Sequence, residues 1–154
     1  MRGGFLGTAA PFYADVVLLL ELVMGLALLV GAVLARLRRF RAHGWCQSFV
    51  VVLNAGVIAI VMLPSFRKHV APRIPLKLGK SFYAMATAHA AMGTAVECAA
   101  LYILLAAGTT LMPERLRLTR YKLWMRTVLA SWWLVVLLGV TTYVRWYIPS
   151  LFRR

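Results

Sequence analysis

The chain has 154 residues, 62% of them hydrophobic, with a mean hydropathy of +0.80 and a formal charge of +14 from 18 Lys and Arg against 4 Asp and Glu. That apolar content exceeds what a water-soluble domain carries, and long apolar runs occupy so much of the length that no separate soluble domain fits beside them. The positive charge does not read as a nucleic-acid surface, because the basic residues fall almost entirely in the connections between the runs and in the C-terminal tail.

Four apolar stretches, residues 15–35, 47–64, 81–107 and 127–148, are each long enough to cross a hydrocarbon core of about 30 Å as a helix. The expected fold is all-α: an integral membrane bundle of four transmembrane helices forming a single domain over residues 1–154. The first stretch follows Met1-Arg2-Gly3-Gly4 without a small-residue cleavage site and reads as a retained helix with Pro11 before it. Arg36, Arg38, Arg39 and Arg41 fill the first connection, and Trp45 stands before the second helix as an interfacial anchor. Pro64 is expected to end that helix, and Pro72 and Pro75 to keep the second connection extended among Arg67, Lys68, Arg73, Lys77 and Lys80. The third stretch is rich in Ala, with Gly93 at its middle, and such smoothness in lipid predicts the central packing helix of the bundle. Pro113 with Glu114 opens the third connection, which carries Arg115, Arg117, Arg120, Lys122 and Arg126. Trp124, at one end of the fourth helix, and Tyr143, Trp146 and Tyr147, at the other, read as further anchors, and Pro149 closes the helix. Cys46 and Cys98 lie too far apart along the bilayer normal to form a disulfide and read as packing residues.

With the N-terminal side called X and the far side Y, each side carries nine Lys and Arg. The positive-inside rule therefore gives no decision by count, and only the dense run Arg36 to Arg41 favours an N-terminus outside the cytoplasm.

The functional signal lies in the polar residues within the apolar runs, since a charged group at a helix centre costs about 2.5 to 3.5 kcal/mol. At about 1.5 Å per residue, Glu21 falls about 9 Å in from X and His89 about 12 Å in from X, so the two can meet. Asn54 and Glu97 both fall just past the midplane toward Y and form a second candidate pair. Each has a plain reading: a neutral Glu21 hydrogen-bonded in the bundle, a packing His89, and a Gly93 that simply lets helices approach. Each also has a functional one: a proton relay through Glu21, His89, Asn54 and Glu97, or a flat cofactor seated at Gly93 one turn from His89. His43 and His69 belong to the Y and X surfaces. No Cys-x-x-Cys, His-Glu-x-x-His, phosphate-binding glycine loop or Ser/His/Asp set occurs, so no catalytic residue is nominated. Cofactor binding remains open as a b-type haem between His69 and His89, as a quinone, or as copper with Met62, Met85 or Met92.

The segment Arg38-Arg39-Phe40-Arg41-Ala42-His43-Gly44-Trp45-Cys46-Gln47, the histidine near the start of the third helix, Trp132-Trp133, and Gly139-Val140-Thr141-Thr142-Tyr143 together resemble an uncharacterised family of small bacterial four-helix membrane proteins, domain of unknown function four hundred and twenty. The resemblance spans nearly the whole chain. It implies residence in the bacterial inner (cytoplasmic) membrane beside the respiratory chain, in the neighbourhood of cytochrome oxidase and its assembly. The family carries a histidine near each of four helix ends. His43, His69 and His89 match three of these, and Arg120-Tyr121-Lys122 replaces the fourth, so His69 with His89 is the only intact pair. The expected function is an accessory or assembly subunit, without catalytic activity of its own, whose partners are the lipid bilayer and the subunits of a larger membrane redox complex. The alternatives are a haem, quinone or copper carrier using His89 and His69, and a proton-path or transport component.

Overall fold

A computed structural model of the chain describes residues 4–109, 113 and 119–148. Four helices long and apolar enough to cross a membrane dominate it, and the described residues contain no strand. Helix α1 spans Phe12–Arg36 and α2 spans Phe40–Val57. The second crossing then continues through a π-helical segment, Ile58–Met62, into α3, Leu63–His69. A 3-10 turn at Ala71–Arg73 and the short α4, Ile74–Lys77, lead to α5, Ser81–Gly108, and then to α6, Tyr121–Tyr147. Each crossing runs opposite to the one before it, and α1 pairs with α2, α2 with α5, α5 with α6, and α6 with α1. The bundle is therefore a closed ring of four helices. Its core holds Met24 and Leu28 of α1, Val50 of α2, and Trp132 and Val136 of α6. The outward faces carry residues such as Val23, Val30, Val52 and Leu137, as contact with lipid tails requires.

Several expectations are corrected. Pro11 does precede α1, whose N-cap it occupies. Pro64, in contrast, does not end the second helix but sits in the first turn of α3. In a regular helix its ring would strike the carbonyl one turn back. Here the turn just before it is widened, with Leu63 N–H donating to Ile58 O five residues earlier, and the helix passes through the proline. Pro72 and Pro75 likewise start helical turns rather than holding the chain extended, each placed where its missing N–H has no intrahelical role. Helix α6 begins at Tyr121, six residues before the expected 127. The closure at Pro149, and Glu114, Arg115 and Arg117, lie outside the described residues.

The basic run between α1 and α2 makes a tight turn. Arg38 takes the left-handed conformation at φ 59°, while Arg38 N–H donates to Ala35 O and Arg39 N–H to Leu34 O. This is the Schellman arrangement that ends many helices, built on an arginine where glycine is the unstrained residue. Side chains then lock α2 onto the last turns of α1: His43 Nδ1 to Gly31 O at 2.8 Å and Cys46 Sγ to Ala27 O at 3.3 Å. Cys46 and Cys98 are both free.

At end X the residues before α1 fold back over the bundle. Asp15 is completely buried and accepts from Leu6 N–H at 2.9 Å and from the Tyr143 hydroxyl, which also shares a 2.7 Å bond with Thr8 Oγ1. Ala9 N–H reaches Tyr147 O, tying this cap to the last turn of α6. Tyr143, Trp146 and Tyr147 are accordingly partly buried in the end of the bundle, with Trp146 stacked on Phe82 at 4.9 Å. Trp45 and Trp124, at end Y, are the exposed aromatics that fit the anchoring role.

Candidate functional site

Near end X the ring of helices is not filled. Beyond the π segment the second crossing makes few close backbone approaches to α1, and the space is bridged by Phe66 and Val70 packing toward Tyr83 and Ala86 of α5. Between these parts lies a partly open cavity of about 170 Å³. Helix α1 contributes Tyr13, Val17, Leu18 and Glu21, the π segment and α3 contribute Val61, Met62 and Ser65, and α5 contributes His89. The remaining wall is α6, with Val136, Gly139, Val140, Tyr143 and Trp146.

Depth along the sequence thus brings Glu21 and His89 to one cavity. They make no direct hydrogen bond to each other. Glu21 Oε1 is buried with no partner among the described residues, and the carboxyl lies within Coulombic reach of Glu97. His89 Nδ1 sits 3.1 Å from Val135 O, and because a carbonyl only accepts, that nitrogen carries the proton. In the neutral ring this leaves Nε2 as an acceptor. The imidazole can lie this close to α6 because residue 139 is glycine: a Cβ there would fall 3.0 Å from His89 Cε1.

That contact corrects the expectation for Gly93. A Cβ at Gly93 would meet Val135 Cγ1 at 3.4 Å, an ordinary packing distance, so Gly93 leaves no slot for a flat cofactor. Nor is α5 the centre of the bundle, since every helix of the ring has two neighbours. Of its Ala residues, Ala86, Ala100 and Ala106 are buried in the interior, Ala84, Ala90 and Ala99 are half-buried, and Ala88, Ala91 and Ala95 with Cys98 make an exposed outer face.

Asn54 and Glu97 form the second polar pair, with Asn54 Nδ2 donating to Glu97 Oε2 at 2.8 Å and both residues buried. The remaining oxygens, Asn54 Oδ1 and Glu97 Oε1, have no partner among the described residues. The four polar residues therefore make a broken series rather than a continuous chain: His89 and Glu21 on the cavity, Glu97 within electrostatic reach of Glu21, and Asn54 bonded to Glu97.

The residues present do not fit a haem held by two histidines. His69 is exposed at the end of α3 and does not line the cavity that His89 lines, and a space near 170 Å³ takes one ring rather than a macrocycle. For copper, Met62 alone of the three candidate methionines lines the cavity, and the described residues contain no group of three or more His, Cys, Asp or Glu able to hold a metal ion.

Sequence reasoning passed over Gly139, Trp146 as a cavity wall, and Asp15 as the anchor of the N-terminal cap. An acid in the first turn of a membrane helix beside a Gly-rich leader was the one signal available for the last. No protein-family model matches the chain, and no curated protein or solved structure does either.

Proposed function

We propose that the chain is a small accessory or assembly subunit of a bacterial cytoplasmic membrane, seated against a larger membrane redox complex. The observation that carries this reading is the outer face of α5. Ala88, Ala91, Ala95 and Cys98 recur at intervals of three and four residues, and all are exposed. Thr94 beside them returns its hydroxyl proton to Ala90 O, so the face is both smooth and apolar. The outer face of α1 is built differently, from Val16, Leu19, Val23, Leu26 and Val30. Lipid tails wet either surface equally well, whereas a neighbouring helix approaches closely only where side chains are small. The contrast favours a protein partner on α5 and lipid on α1. The redox character of that partner rests on the resemblance of the Arg38 to Gln47 segment and of the α6 motifs to the uncharacterised bacterial family.

Cys98 makes the reading testable with the native thiol. In gently solubilised native membranes a maleimide is expected to label Cys98 slowly, and in the isolated chain quickly. Replacing Ala91 or Ala95 by Leu should release co-purifying subunits, while Val23→Leu on α1 should not. Equal labelling in both states, with no subunit lost from the Ala95→Leu protein, would sink the proposal.

A further inference from the structure

The cavity at end X has a chemical signature of its own, independent of whether α5 docks a partner. Two of the residues on its wall hold buried polar atoms with no partner among the described residues, the acceptor Glu21 Oε1 and the donor Trp146 Nε1. A third wall residue, His89, has its proton committed to Val135 O and keeps Nε2 as an acceptor. Leaving buried polar groups unpaired is unfavourable, so a molecule that supplies both a donor and an acceptor gains twice on entering. Size narrows its identity. A dry engineered cavity of about 150 Å³ accepts benzene, and this one, at about 170 Å³, has room for one six-membered ring. Val17, Leu18, Val61, Val136 and Val140 give that ring apolar walls, and the Tyr143 and Trp146 rings offer it aromatic faces or edges.

We infer that this cavity binds a single hydroxylated aromatic ring, a phenol or the head of a quinol, with its hydroxyl donating to Glu21 or to His89 Nε2 and accepting from Trp146 Nε1. A hydroxyl both donates and accepts, which is what the wall requires. The cavity is partly open, and a prenyl tail on the ring would leave through that opening.

The test uses the full chain in lipid nanodiscs, titrated with hydroquinone, a prenylated hydroquinone and toluene, and read by tryptophan fluorescence and calorimetry. Hydroquinone is expected to bind about tenfold or more tighter than toluene, the margin that one satisfied buried polar group supplies. Glu21→Leu should narrow that margin without abolishing it, because Trp146 Nε1 still donates and His89 Nε2 still accepts. Trp146→Phe, which keeps a ring to stack on Phe82 but removes the N–H, should cut hydroquinone affinity without changing that of toluene. A prenylated ring that binds tighter than the soluble one, beyond its partition into the lipid, identifies a membrane quinol as the source; equal binding identifies a soluble phenol. Equal affinity of the wild-type chain for toluene and hydroquinone would overturn the inference without recourse to any variant. So would a preference that neither Glu21→Leu nor Trp146→Phe diminishes, in proteins whose thermal unfolding shows them folded.

Discussion

Gly93 and Gly139 stand on facing helices and look interchangeable in the sequence, yet only one is under a steric demand. A methyl at Gly139 meets the His89 ring at 3.0 Å, and that ring is held against the same helix by its bond to Val135 O, one turn earlier. Gly139→Ala should therefore cost about 1 to 3 kcal/mol, the range for overpacking a filled site, whereas Gly93→Ala, at 3.4 Å from a movable valine methyl, should be near neutral. Thermal unfolding of both variants in detergent checks the pair, and equal losses would show that His89 swings aside freely. Depth could be read from the sequence because helical rise is fixed, and it placed Glu21 level with His89 and Asn54 level with Glu97. Azimuth could not. Whether a residue faces the cavity, a neighbour or lipid depends on how helices rotate against one another, which is why the slot assigned to Gly93 belongs to Gly139 and why His69 lies outside the cavity.

The second crossing shows the same limit at the level of an element. Hydropathy gave its existence and its start near Gln47 to within a turn or two, and then stopped it at Pro64, because proline ordinarily does stop a helix. A single widened turn changes that outcome and also draws Val61, Met62 and Ser65 into the cavity wall. A π turn amounts to one extra residue in an α-helix. Deleting the exposed Ala59 should restore regular winding through residues 58–62 and bring the Pro64 ring against the carbonyl one turn earlier. The expected loss is about 3 kcal/mol, and a second change, Pro64→Ala, should recover most of it. Chemical denaturation of the single and double variants measures this; a deletion that costs nothing would mean that the wide turn is not what accommodates the proline.

For the whole molecule the governing fact is charge. The acids among the described residues are Asp15, Glu21 and Glu97, and the structure places Asp15 and Glu97 in the interior and Glu21 on the cavity wall. Exposed Arg36, Arg38, Arg39 and Arg41 at one end, and Arg67, Lys68, Lys77 and Lys80 at the other, thus have no carboxylate of the chain nearby among the described residues. Anionic headgroups are the natural counter-ions, worth about 1 kcal/mol for each basic residue near the surface. The unfolding temperature in nanodiscs should rise on exchanging zwitterionic for anionic lipid, and the gain should shrink as salt is raised. Identical temperatures in the two lipids would contradict this. The N-terminal cap carries a further consequence, for the order of assembly. Asp15 and Thr8 are completed by Tyr143, 128 and 135 residues away in the chain, and Ala9 by the backbone of Tyr147. Until the last crossing has been synthesised and inserted, Asp15 lacks its tyrosine, the ring lacks its closing helix, and Glu21 faces lipid on a helix that has only α2 to lean on. A nascent chain halted before α6 is thus a half-built barrel with an unshielded acid, and the final helix acts as a latch whose arrival makes the first one secure in the bilayer.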